Sequence, residues 1–152
     1  MEPTNVAPWS IDWAWGLPLI VVTVIIHSFG LVLINWRVSL ILNGNQKKPT
    51  PHSVSMLIIG GTALFATILH GLDGAIWAAA YILLGALPDR KSAMLYSLNA
   101  MTSYGHANIY LQLRWELMGA LEALNGWILF GLTTAFLFTV IQQVWPRFRQ
   151  SV

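Results

Sequence analysis

The sequence predicts an all-α membrane protein with three transmembrane helices and a short re-entrant helix and loop between the second and third. Three observations carry this. Hydrophobic residues make up 56% of the 152-residue chain and charged ones only 9%, against about 25% charged in an ordinary soluble domain. Three uncharged stretches, residues 13–36, 49–72 and 123–146, each run for 24 residues. At about 1.5 Å per residue each is long enough to cross a hydrocarbon core of about 30 Å as a helix. Backbone in lipid must satisfy its own hydrogen bonds, which leaves helix as the spanning form for such segments.

The first span lies between Asp12 and Arg37. It contains His27 but no run of arginines, which excludes a voltage sensor of that type. His27 reads as a packed hydrogen-bonding partner between helices. Glu2 and Asp12, with no basic segment, precede this long apolar run, so no cleavable signal peptide is expected. The segment Asn43-Gly44-Asn45-Gln46-Lys47-Lys48-Pro49-Thr50-Pro51 is polar and turn-rich, a linker. The second span lies between Lys48 and Asp73. The apolar stretch Gly74 to Leu87 is too short to cross alone and reads as its outer continuation. His70 and Asp73 are three apart on one helical face and read as a hydrogen-bonded pair near the outer interface, since a metal site needs more than two ligands. His52 falls in the linker region.

Pro88-Asp89 is a helix-start signal, and Lys91 to Met101 is the short helix it starts. That helix runs into Thr102-Ser103-Tyr104-Gly105. A short helix leading to a polar, glycine-containing segment between two spans is the pattern of a re-entrant loop, which survives at membrane depth only where protein or water surrounds it. The third span follows, between Glu122 and Arg147.

Lys and Arg set the orientation. Arg37, Lys47 and Lys48 follow the first span, and Arg147 and Arg149 follow the third; the positive-inside rule then puts the N-terminus outside and the C-terminus in the cytoplasm. Arg90, Lys91 and Arg114 fall outside against the rule, beside Asp89 and Glu116. Trp9, Trp13 and Trp15 fall at the outer interface, and Trp36 and Trp145 at the inner one. The expected location is an inner or plasma membrane, crossed several times. The net charge of +2 has no basic face, so nucleic acid is not an expected partner, and the chain has no cysteine.

Residues 70–142 resemble the pore module of bacterial two-helix potassium channels. Trp77-Ala78-Ala79-Ala80-Tyr81 with Gly85 is similar to the end of that family's outer helix. Ala93-Met94-Leu95-Tyr96-Ser97-Leu98 is similar to its pore helix, Tyr104-Gly105 to the end of its filter, and Trp115 through Phe138 to its inner helix. The resemblance implies a potassium-channel-like tetrameric pore. It divides the chain into residues 1–52 (tail, extra helix and loop), a pore module at 53–146, and a cytoplasmic tail at 147–152. Within the module it implies an outer helix at 53–87, a pore helix at 91–101, a filter at 102–106 and an inner helix at 110–145. The implied partners are three further copies of the chain and membrane lipid. The implied ligands are permeant monovalent cations such as K⁺ or Na⁺, with no other cofactor or metal.

In such a pore, four short helices direct their negative ends at a cavity and extended filter segments offer backbone carbonyls in place of the ion's hydration shell. This chain departs from the family's filter, which reads Thr-Thr-x-Gly-Tyr-Gly-Asp. Aligned on Tyr104-Gly105, it reads Ala100-Met101-Thr102-Ser103-Tyr104-Gly105-His106. Ser103 stands for the first filter glycine, Met101 for a threonine, and His106 for the aspartate. The expectation is a cation pore with weak or lost potassium selectivity, or a membrane protein that keeps the scaffold without conducting.

Individual residues admit two readings each. His106 is either a ring of titrating groups at the outer mouth or a surface histidine. Glu122, with Asn125 at i+3, is either a pore-lining charge or a clamp on the pore helix. Gly119, Gly126 and Gly131 permit either close packing or bending. Thr133 falls in the inner half of the span, and Thr134 and Phe138 could face a cavity there. The extra first helix is expected on the outside of the tetramer. An enzyme is not expected, because the sequence offers no nucleophile–base pair, no HExxH motif and no acidic cluster at catalytic spacing.

Overall fold

A computed structural model describes residues 10–44, 52–105 and 108–149. The described elements are helical: α1 (Ser10–Gly44), α2 (His52–Leu83), α3 (Arg90–Met101), a 3-10 turn (Leu113–Trp115) and α4 (Glu116–Arg149). Three helices are long and apolar enough to cross a membrane. This is a multi-pass, all-α membrane architecture.

The buried residues of α1 are Asp12, Gly16, Thr23, His27, Leu31, Val38 and Leu42. They recur at steps of four and seven, a seam that keeps one side of a helix against its neighbours. The opposite side carries Val21, Ile25, Phe29 and Val32, all exposed, the surface that lipid tails cover. Contacts along the seam fix the directions of the long helices. Gly16 abuts Leu121 at the start of α4, and Asn35 Oδ1 accepts from Gln143 Nε2 near its end at 3.2 Å, so α1 and α4 run parallel. Gly30 abuts Leu69, and Val38 shares an apolar cluster with Ile58, so α2 runs antiparallel to both. Helix α1 therefore packs along both α2 and α4 of the same chain.

The apolar core falls into two clusters. One, built from Trp77, Tyr81, Ala93, Tyr96, Trp115, Met118 and their neighbours, surrounds α3. The other, Val38, Leu42, Ile58, Val140 and Val144, lies toward the far ends of the long helices. Between them lie buried polar groups.

Helix α2 ends short of the expected residue 87. Gly85 sits at φ 64°, its amide bonds Ile82 O at 3.1 Å, and the Ala86 amide bonds Tyr81 O at 2.8 Å. That double bond with a left-handed glycine is the Schellman termination. Helix α3 starts at Asp89, whose carboxylate accepts from the Lys91 and Ser92 amides at 3.0 Å each. It then runs beside α2 and α4. Its last residue, Met101, reaches Gly126, ten residues into α4.

Candidate functional site

The best-defined polar site is the one that holds α3. Glu122 on α4 is fully buried. One carboxyl oxygen accepts from Tyr81 Oη of α2 at 2.7 Å, and the other makes a short hydrogen bond with Ser97 Oγ of α3. Ser97 Oγ also donates to Gly74 O of α2 at 2.8 Å. A single carboxyl group thus joins three helices. The small residues beside it make this possible. A Cβ at Gly74 would lie 3.3 Å from Ser97 Oγ. At Gly119 it would run into the Tyr96 hydroxyl, and at Gly126 into the Met101 backbone. Of the two readings of Glu122, this geometry is the clamp. Of the two readings of Gly119 and Gly126, it is close packing.

Asn125, one turn further, is also buried. Its Nδ2 donates to Thr23 Oγ1 of α1 at 2.8 Å. It therefore secures α1 to α4 and does not touch α3 through this bond.

The segment after α3 has a definite shape. Thr102 caps the helix in a right-handed conformation (φ −86°, ψ −4°). Ser103 follows at φ 54°. The Ser103 amide bonds Ala100 O at 3.0 Å and the Tyr104 amide bonds Asn99 O at 3.1 Å. This is the same Schellman turn that ends α2, here with serine in the left-handed place. The extended carbonyl ladder implied by the channel resemblance is not what this chain forms at 102–104, because these amides are spent on the helix's own terminal carbonyls. Thr102, Ser103, Tyr104 and Gly105 are exposed, with Gly105 at φ 97°. Met101 is buried against Gly126. His106 lies outside the described residues.

The inner-helix candidates separate. Gly126 is buried, whereas a Cβ on Gly131 would meet only open space. Thr134 is exposed and donates to Phe130 O at 2.8 Å, and Phe138 is 60% exposed. Gly131, Thr134 and Phe138 thus lie on an outward surface of α4. Phe138 sits about 18 Å along the axis from Gly126, at about 1.5 Å per residue.

Comparison with known protein families, curated proteins and solved structures gives no match. The functional reading rests on the residues themselves.

A second polar site was only partly visible in the sequence. His27 Nδ1 donates to Asp73 Oδ2 at 2.7 Å, both groups fully buried. His27 Nε2 lies 2.8 Å from Thr133 Oγ1, and His70 Nε2 lies 3.1 Å from the same oxygen. His70 and Asp73 do not form the mutual pair that their spacing suggested. Asp73 turns to α1 and His70 to α4, where its ring also stacks on Phe130 at a centroid distance of 4.3 Å. One proton assignment satisfies these three contacts. With Nδ1 of His27 donating, its Nε2 accepts from the Thr133 hydroxyl, and Thr133 Oγ1 accepts from His70 Nε2. His70 Nδ1 is buried with no hydrogen-bond partner, as is Asp73 Oδ1. Groups this polar on the inner side of spanning helices are rare and mark functional places.

Proposed function

We propose that the chain is the pore-forming subunit of a four-fold cation channel with weak or absent potassium selectivity. The observation that carries this is α3. A 12-residue helix between two spans is held by the buried Ser97–Glu122–Tyr81 contacts and reaches well down the flank of α4. Such a helix, entering from the outer side between two spans, is the element a re-entrant pore requires. Its carbonyl end is the negative end of a dipole, which favours cations over anions nearby. One copy cannot enclose a conduit, and a ring of identical copies closes one. The outward Gly131, Thr134 and Phe138 of α4 supply the surface that such a ring would turn toward its neighbours or its axis. The N-terminus outside and the C-terminus in the cytoplasm of an inner or plasma membrane complete the arrangement.

The Schellman turn at Ser103 supports weak selectivity. Four stacked rings of filter carbonyls need extended backbone, and this segment is folded into a helix cap. The same turn favours the second reading, a closed or non-conducting membrane protein built on the same scaffold. Ion flux into liposomes containing the purified protein, followed by reversal potentials with K⁺ exchanged for Na⁺, tests both. Flux with little preference between the ions is expected. A strong potassium preference would refute weak selectivity, and no flux with any monovalent cation would favour the closed scaffold.

A further inference from the structure

We propose that His27, His70 and Asp73 form a binding site for one divalent first-row transition-metal ion inside the helix bundle. The three side chains each offer one ligand atom, and these atoms lie within 4.8 Å of one another. Ligands held tetrahedrally at about 2.0–2.1 Å from a metal stand about 3.4 Å apart, so closing the site draws the widest pair together by more than about 1 Å. The imidazole rings of His27 and His70 are already neighbours, tilted by 53° with centroids 4.7 Å apart.

Two atoms point to a ligand rather than to a finished hydrogen-bond network. Asp73 is fully buried, and its Oδ1 has no partner. His70 Nδ1 has none either, and it is a lone pair when His70 Nε2 donates to Thr133. Buried polar atoms without partners are costly, and one that persists calls for an explanation. A cation would supply the partner such atoms lack, with His27 giving up one of its two present hydrogen bonds to bind it, and two imidazoles with one carboxylate are a ligand set that zinc and related ions take with a coordination position left open. Thr133 lies within hydrogen-bond distance of both rings. The ion would bridge α1 to α2 next to α4. The site shares no side chain with the Glu122 clamp and does not depend on the channel reading.

The test uses the full-length chain, without a histidine tag, in lipid nanodiscs. Titration with Co²⁺ is followed by visible absorption and by metal analysis, with Zn²⁺ as competitor. One Co²⁺ per chain is expected, displaced by Zn²⁺. His70→Phe keeps an aromatic ring against Phe130, and Asp73→Asn keeps the carboxyl's size. Each should weaken binding roughly tenfold or more, since even loss of a group behind a ligand costs 10–100-fold. His52→Ala, at the start of α2, should bind as the parent does. In a second readout, Zn²⁺ should raise the melting temperature of the parent chain and leave that of His70→Phe where it was. No uptake by the parent, or uptake by His70→Phe and Asp73→Asn equal to the parent's, would overturn the proposal.

Discussion

Replacing Gly126 by alanine isolates the contact between α3 and α4. In a helix interior the change gains about 1 kcal/mol of helix propensity. Against that, the new Cβ would run into the carbonyl oxygen, carbonyl carbon and Cα of Met101. These are backbone atoms and cannot rotate aside, so α3 and α4 must separate. Overpacking of that kind costs about 1–3 kcal/mol. The separation also lengthens the Ser97–Glu122 bond, which adds to the loss. Gly60 of α2 is the reference, because a Cβ there meets nothing within 4 Å and only the propensity gain remains. Gly126→Ala should therefore be about 1–3 kcal/mol less stable than Gly60→Ala, a gap in melting temperature of about 3–9 °C for a chain of this size. Thermal unfolding of both variants in one detergent measures it. Gly126→Ala melting at or above Gly60→Ala would refute the close approach of Met101 to α4.

Four further outcomes are expected. Glu122→Ala leaves the buried Tyr81 hydroxyl without its partner and opens a cavity, costing about 2–4 kcal/mol in thermal unfolding, whereas Glu122→Gln retains the shape and stays within about 1.5 kcal/mol; equal losses would argue against a clamp. Ser103→Gly relieves a left-handed backbone position and should stabilise by about 1 kcal/mol, and a loss of stability would contradict the turn. The Ser92 hydroxyl and amide, with the Lys91 amide, hold the Asp89 carboxylate below its usual value of 3.8. Its capping contribution is therefore present above that pH and fades as the pH falls through the lower, folded-state value. Melting curves from pH 5 downward should show the parent losing more stability than Asp89→Asn, whose side-chain oxygen caps at any pH. Gly131→Ala should leave a single protomer intact and, if α4 meets a neighbouring copy there, weaken the oligomer measured by mass in detergent; an unchanged oligomer would remove this surface from the interface.

The long helices were legible because the signal is crude and strong: 24 uncharged residues in a row leave little else to form. Asp89 at the start of α3 was legible because a capping aspartate acts on amides two and three residues away. The clamp was half legible. Glu122 at depth announced a partner, but nothing local says that Ser97 and Tyr81 supply it. Ser103 was read as a degraded filter glycine, and its left-handed turn went unforeseen because serine carries no signal for that conformation. At the histidine site the place of His27 between helices was legible, but the pairing of its neighbours was not. The i, i+3 spacing of His70 and Asp73 suggested a pair, while their partners His27 and Thr133 stand on other helices. Gly126 and Gly131 show the limit most directly: identical in sequence, one is pressed against backbone and the other faces open space.

The two apolar clusters are parted by hydroxyls, amides, imidazoles and carboxyls that pair only in one alignment. In oil, leucine against leucine is hardly better than leucine against a lipid tail, so greasy surfaces alone would let these rods glide past each other. Sliding α1 by one turn, about 5.4 Å, would strip His27 from Asp73 and Thr23 from Asn125 at once. These bonds work as detents, and any motion the bundle makes must hinge around them or break them together.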